Sequence, residues 1–183
     1  VKVDVMAERL RRINPDAEIV ARHERFTPDT ADDLLAPSFD FVIDAIDALS
    51  FKVHLLACCI EKGLPVVSSM GAASKVIPGL VQTTTLFETR HCPLARLVRK
   101  RLRQRGVTAA IPVVYSAEMP ILPDHDLPPD PPAGESPPGQ SAKGTISYMP
   151  AIFGLHCAAY VIQQLIDTHA FRRLGETPPK QNT

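Results

Sequence analysis

Over the first fourteen positions Val3, Met6, Leu10 and Ile13 recur at spacings of three, four and three, with Glu8, Arg9, Arg11 and Arg12 on the remaining faces. That is the pattern of an amphipathic helix with one apolar stripe, ended by Asn14-Pro15. EIVARH at 18–23 reads as a short strand. TPDTADDLL at 27–35 reads as a helix with Thr27 as N-cap, Pro28 in its first turn and acids near the positive end of its dipole. FDFVIDAID at 39–47 is a nearly unbroken apolar run, as expected of a strand covered on both faces. Ser50 can cap a following helix that reaches Lys62 and stops at Gly63, and LPVVSSM at 64–70 is the next buried strand. Helices alternating with apolar strands at short intervals predict an α/β fold with a doubly wound, mostly parallel sheet of the Rossmann-like kind.

The second half is less regular. KVIPGLVQTTTLF at 75–87 alternates as an extended hairpin would around Pro78-Gly79, and Pro93 opens a helix carrying six basic residues from Arg96 to Arg105. Such a run is ordinarily a solvated face, and its sharper reading is a strip that contacts RNA phosphates. VVYS at 113–116 makes one more strand. Residues 118–144 hold eight prolines with almost no periodicity, a long proline-rich crossover loop. YMPAIFGLHCAAYVIQQLI at 148–166 approaches the length of a membrane span, but Pro150, His156, Gln163 and Gln164 favour a core or interface helix, so no span is predicted. Residues 176–183 are expected to fray.

At 183 residues, 45% hydrophobic, the chain suits one domain over 1–183. Lys plus Arg equal Asp plus Glu at 20 each, which excludes bulk electrostatics as the means of holding nucleic acid or an anionic membrane; such binding has to be local. The four cysteines, Cys58, Cys59, Cys92 and Cys157, show no CxxC spacing, which fits a reducing compartment and no structural zinc. Packing is the plain reading for all four. Cys92, beside His91 and Pro93 at a helix start, is the one whose setting could activate a thiol.

In a parallel α/β sheet, ligands sit beyond the carboxyl ends of the strands, which is where Asp47 follows FVIDAI. Alternation sends Asp44 and Asp47 to opposite faces. Asp44, flanked by apolar residues, reads as a satisfied structural acid. Asp47 either holds magnesium beside a triphosphate, since Mg²⁺ takes one or two carboxylates plus phosphate oxygens, or accepts backbone N–H groups at the next helix start.

Taken together, VKVDVMAERLRRINPDAEI, FDFVIDAIDALSFKVHLLACC, GLPVVSSMGAASKVIPGLVQTTTL, PLARLVRKRLRQRGV and MPAIFGLHCAAYVIQQL resemble the ubiquitin-activating-enzyme-like adenylating superfamily. The likeness is to its tRNA threonylcarbamoyladenosine dehydratase branch and covers nearly the whole chain except the proline-rich loop. The resemblance implies ATP-dependent activation of a carboxylate on threonylcarbamoyladenosine in tRNA, then cyclisation with loss of water. It implies that Lys2 contacts ATP phosphates and that Asp47 helps hold Mg²⁺ and ATP. The family's first strand and glycine-rich phosphate loop come before the lysine that is Lys2 here, so an N-terminally truncated chain holding part of the nucleotide site is expected. Ala48 stands where relatives often carry Asn, and Cys92-Pro93 where they show Asp-Pro. No cysteine lies between Tyr115 and Cys157, the region in which thioester-forming relatives place a nucleophile, so direct attack on the activated carboxylate is expected.

A homodimer is expected, with the last apolar helix as one candidate interface. The expected location is cytoplasmic, or mitochondrial in a eukaryote. Three rival functions remain open on sequence alone: an adenylyltransferase for a small sulfur-carrier protein, a noncatalytic module that binds tRNA or a partner, and a nicotinamide-dependent oxidoreductase. The last lacks any GxGxxG in this chain.

Overall fold

A computed structural model describes residues 1–36, 39–121 and 144–166, in two compact units, Val1–Pro37 and Ser38–Thr183. Most of the proline-rich loop and the tail from residue 176 lie outside the described residues.

In the first unit, α1 (Lys2–Ile13) ends at Asn14, whose backbone N–H reaches back to the Leu10 carbonyl. Glu8 and Arg12 pair one turn apart on its solvent side. Of the apolar stripe, Met6 is 49% exposed, Leu10 41% and Ile13 71%, and only Ala7 of this helix is buried. The stripe therefore has little cover among the described residues. Residues 18–23 form no strand, because none of them joins a ladder and a strand needs a partner for its N–H and C=O groups. The next helix is shorter than its sequence pattern, running as α2 over Ala31–Leu34 with Thr30, not Thr27, at its N-cap. The Thr30 hydroxyl explains the shift: it accepts from the Thr27 N–H at 2.9 Å and donates to the Arg25 carbonyl at 2.9 Å, closing a turn where the helix would have begun.

The second unit is built on four strands in the order β1-β2-β4-β3: β1 (Val42–Asp44), β2 (Val66–Ser69), β3 (Val81–Thr85) and β4 (Pro112–Ser116). β1, β2 and β4 run parallel, with Asp44 opposite Ser68 and Ser69 opposite Val114, and β3 is antiparallel to β4. Successive residues of β2 point to opposite faces. Val67 joins Val81, Val114, Met149, Phe153 and Cys157 beneath α5 (Tyr148–Leu165), whereas Ser68 meets Lys52 of α3 (Leu49–Glu61). Helices thus cover both faces, the doubly wound arrangement expected. Burying Phe153 contributes about 2–3 kcal/mol to this layer.

Both α3 and α4 (Pro93–Gln104) stop in the same way. Gly63 (φ +68°) and Gly106 (φ +75°) take the left-handed conformation, and Leu64 N–H and Val107 N–H reach back to the carbonyls of Cys59 and Leu102. Cys92 caps the other end of α4, its Sγ accepting from the Ala95 N–H at 3.5 Å.

Three local expectations change. The strand in 39–47 spans three residues, and its Ile43 is 49% exposed, so β1 is not covered on both faces among the described residues. Ala48, not Ser50, is the N-cap of α3, and Ser50 Oγ instead accepts from Arg101 at 2.8 Å. The hairpin around Pro78-Gly79 is absent: Pro78–Leu80 is a single 3₁₀ turn, and β3 pairs with β4 some thirty residues on. The N–H groups of Val76 and Ile77 go to the Glu118 carboxylate, which leaves 75–77 no ladder to join.

Candidate functional site

The carboxyl ends of the three parallel strands release three connections, 45–48 after β1, 70–77 after β2 and 117–121 after β4. In doubly wound sheets this rim is where ligands sit.

Asp44, the last residue of β1, is fully buried together with Lys52 and Ser68. Lys52 Nζ donates to Asp44 Oδ2 at 2.7 Å, to Ser68 Oγ at 3.1 Å and to the Ser69 carbonyl at 3.0 Å, so all three ammonium protons are used. Ser68 Oγ donates to the same Asp44 oxygen, and Asp44 Oδ1 accepts the Ile46 N–H at 2.9 Å. This network joins β1, β2 and α3 at the rim and fixes the first step of the 45–48 connection. Asp44 is the satisfied structural acid its apolar setting implied. Its lysine partner was missed, although a lysine inside SFKVHLLACC is a signal of a buried cation that needs a carboxylate.

Asp47 lies three residues beyond Asp44, exposed, immediately before the N-cap Ala48. It makes no hydrogen bond to the start of α3, where no side chain caps the first turn, and no ion pair among the described residues. Its carboxylate is therefore not used as a cap. Lys2, the other residue expected at the site, is the first residue of α1 in the other unit and is exposed.

The remaining rim is fastened by residues that sequence reasoning passed over. Glu118 Oε2 accepts from Val76 and Ile77 N–H at 2.9 and 3.0 Å, and the buried Lys75 reaches the carbonyls of Glu118 and His91. Burial lowers the Lys75 pKa from the ordinary lysine value. Ser74, at φ +60°, donates its N–H to the Gly144 carbonyl at 3.0 Å and accepts from Ile121 N–H at 2.9 Å, tying this loop to both flanks of 122–143. Neither Lys75 nor Glu118 is marked by local periodicity, because their partners are some forty residues apart.

All four cysteines are buried and none is in a disulfide. Burial, with Cys58 and then Asp44 adding to it, pushes Cys59 up to about 12, and burial also raises Cys157. The folded protein at pH 8 is therefore expected to react with a disulfide reagent far more slowly at these thiols than in denaturant. A thiol that titrates immediately in the folded protein would show that it is accessible. No group of three or more His, Cys, Asp or Glu side chains among the described residues could by itself enclose a metal. No described helix is long and apolar enough to cross a membrane.

Comparison with known proteins places this rim in context. The ThiF family model matches residues 1–182. The tRNA threonylcarbamoyladenosine dehydratase of Bacillus subtilis is 31% identical over 182 residues, covering 96% of this chain and 70% of that protein. Its Escherichia coli namesake is 34% identical over 132 residues, covering 68% of this chain and 49% of its own length. For tRNA threonylcarbamoyladenosine dehydratase 2 of Saccharomyces cerevisiae the figures are 39% over 121 residues, 65% of this chain and 27% of the yeast protein. The crystal structure of the E. coli tRNA N6-threonylcarbamoyladenosine dehydratase in complex with AMP superposes with a TM-score of 0.79 at 28% identity, covering 93% of this chain and 66% of that one. The chain thus spans between about a quarter and about 70% of these relatives. With a single family model matching it from residue 1 to residue 182 and the same Rossmann-like fold in its solved neighbours, this chain belongs to the ThiF family.

Proposed function

We propose that the protein to which this chain belongs activates the carboxylate of threonylcarbamoyladenosine in tRNA with ATP and closes it to a cyclic product with loss of water. The observation that carries this reading is Asp47, an exposed carboxylate with no partner among the described residues, at the ligand end of β1. It is supported by the relatives' names and by a solved neighbour in complex with ATP at a TM-score of 0.79.

The chemistry suits the residues. Adenylation brings a substrate carboxylate against an α-phosphate; a carboxylate oxygen bonds to phosphorus and pyrophosphate leaves. An internal nucleophile of the same substrate group then attacks the acyl carbon and AMP leaves, carrying off the oxygen lost as water. Two anions have to approach in the first step, so the protein's task is charge neutralisation and alignment rather than proton transfer. Asp47 suits Mg²⁺, which binds through one or two carboxylates plus phosphate oxygens and needs no enclosing cage; the ion would neutralise phosphate charge. Lys2 is assigned to the ATP phosphates. The buried thiols and the cysteine-free stretch 122–143 favour direct attack over a thioester.

The reading extends to a homodimer in the cytoplasm. Leu155 (68% exposed), Ile162 and Leu165 form an apolar surface on α5 that a second copy would cover.

The deciding experiment incubates the full-length protein with ATP, Mg²⁺ and tRNA carrying threonylcarbamoyladenosine, then analyses the nucleosides by mass spectrometry. A nucleoside lighter by one water is expected. AMP transferred to the C-terminus of a small sulfur-carrier protein, with the tRNA unchanged, would overturn the assignment.

A further inference from the structure

The zero net charge conceals a segregation. Six of the 20 cations lie within Arg96–Arg105, with no acid among them, which leaves 14 cations against 20 acids in the rest of the chain. The six sit on α4 and its C-cap, and none of the ion pairs among the described residues uses one of them.

Some of these cations have structural duties. Arg99 turns inward to the carbonyls of Leu86 and Thr89 and to the Thr89 hydroxyl. Arg101, Arg103 and Arg105 stand near the helix C-terminus, where a cation is favoured by about 0.3–1 kcal/mol. Neither explanation covers Arg96, the fourth residue of the helix and close to its positive end, nor Lys100 at its centre. Arg96, Lys100 and Arg103 recur at i, i+4 and i+7, on the side turned away from buried Ala95, Val98 and Leu102. Like charges at this spacing cost about 0.2–0.5 kcal/mol per pair, and a solvated face achieves its solubility equally well with mixed signs. At Arg96 and Lys100 the arrangement works against helix stability. It is what a polyanion would select.

Location adds a second argument. Arg101 donates to Ser50 Oγ at 2.8 Å, in the first turn of α3 and three residues after Asp47. The cationic helix is therefore tied beside the connection that carries the candidate nucleotide ligand. At 1.5 Å per residue the Arg96–Arg103 strip is about 10 Å long, room for roughly two or three phosphates of one strand. Arg103 also lies 4.9 Å over the Phe87 ring, which holds its guanidinium while the side chain stays at the surface.

We propose that the exposed face of α4 that carries Arg96, Lys100 and Arg103 docks the phosphate backbone of RNA and leads it toward the Asp47 connection. The proposal rests on the tRNA reading above and assigns it a surface. Backbone docking of this kind is sequence-independent, so recognition of the modified base is left to the rim residues.

The test uses the full-length protein and tRNA bearing threonylcarbamoyladenosine, with binding followed by fluorescence anisotropy across a salt series. The combined variant Arg96→Gln, Lys100→Gln and Arg103→Gln is expected to weaken binding about 10–100-fold at low salt. The slope of log affinity against log salt should fall by about 2–3, near 0.9 per phosphate contact. ATP affinity by calorimetry should be unchanged and the unfolding temperature should move by no more than about 2–4 °C, since Arg103→Gln gives up its Phe87 and dipole contacts while like-charge repulsion along the strip is relieved, and Arg96→Lys with Arg103→Lys should retain the slope. If the triple variant unfolds early, Lys100→Glu alone is expected to lower both affinity and slope.

Unchanged slope and affinity in a folded variant, or no RNA binding by the wild type at low salt, overturns the proposal. So does a loss confined to anionic vesicles with RNA binding retained. If the wild type binds RNA through this strip but leaves the nucleoside uncyclised, the docking surface stands and the reaction assignment falls. If the wild type cyclises and the triple variant binds equally well, the reverse holds.

Discussion

Lys52→Ala is expected to destabilise the protein by about 3–5 kcal/mol, a fall of roughly 6–20 °C in unfolding temperature for a chain of this size. The reason lies in what the substitution leaves behind. Asp44 and Lys52 are both fully buried, and their attraction offsets a desolvation cost that each would otherwise bear alone. Truncating the lysine leaves the Asp44 carboxylate with the Ser68 hydroxyl and the Ile46 N–H, and leaves the Ser69 carbonyl without its donor. Replacing the whole group by apolar residues, Asp44→Leu with Lys52→Met and Ser68→Ala, is expected to cost less than Lys52→Ala alone. It removes the charge together with its partners and leaves the Ile46 N–H and the Ser69 carbonyl as the polar groups to be satisfied. Urea unfolding of the two variants decides the matter. If Lys52→Ala lies within about 1 kcal/mol of the wild type, water reaches the Asp44 carboxylate and the pair is not a closed structural element.

How far the sequence could be read follows from the range of the interactions. The elements that announced themselves do so locally. α1 carries its apolar stripe within twelve residues, α4 is marked by Pro93 and its run of basic residues, α5 is one long apolar run, and Gly63 marks its helix end through a backbone conformation that few other residues adopt. The buried parallel strand β2 shows through the short apolar run at Val66 and Val67, although Ser68 and Ser69 complete it. What the sequence concealed was partnership at a distance. β3 alternates like half of a local hairpin, yet its partner is β4, because Glu118 has taken the backbone donors of the preceding residues. Residues 18–23 have strand composition without a strand to join. At the site, the separation of Asp44 from Asp47 into structural and spare carboxylates was legible from flanking polarity and position. The identity of Asp44's partners was not, since Lys52 lies eight residues on and Ser68 twenty-four.

Asp47→Ala is expected to reduce magnesium-ATP affinity of the full-length protein about 10–100-fold, some 1.4–2.8 kcal/mol, while leaving unfolding within about 0.5 kcal/mol of the wild type. The two halves of this expectation come from the same geometry. An exposed carboxylate that caps no helix and makes no ion pair among the described residues holds nothing in place, so its removal breaks no contact in the fold. A carboxylate beyond the carboxyl end of β1 that has no partner among the described residues is available to a hard cation, and Mg²⁺ keeps to octahedral oxygen coordination that an alanine cannot supply. The contrast with Asp44, three residues away, separates ligand binding from folding. Asp44→Asn should lower stability, and any loss of ATP affinity it shows should track the unfolded fraction. Asp47→Ala should lose affinity at a temperature where the protein is fully folded. Titration with ATP in the absence of Mg²⁺ completes the argument, because the difference between Asp47→Ala and wild type should then shrink or reverse as a negative charge is removed from beside the triphosphate. Equal affinities for magnesium-ATP would remove Asp47 from the site. An equal loss with and without the ion would make it a nucleotide contact and not a metal ligand.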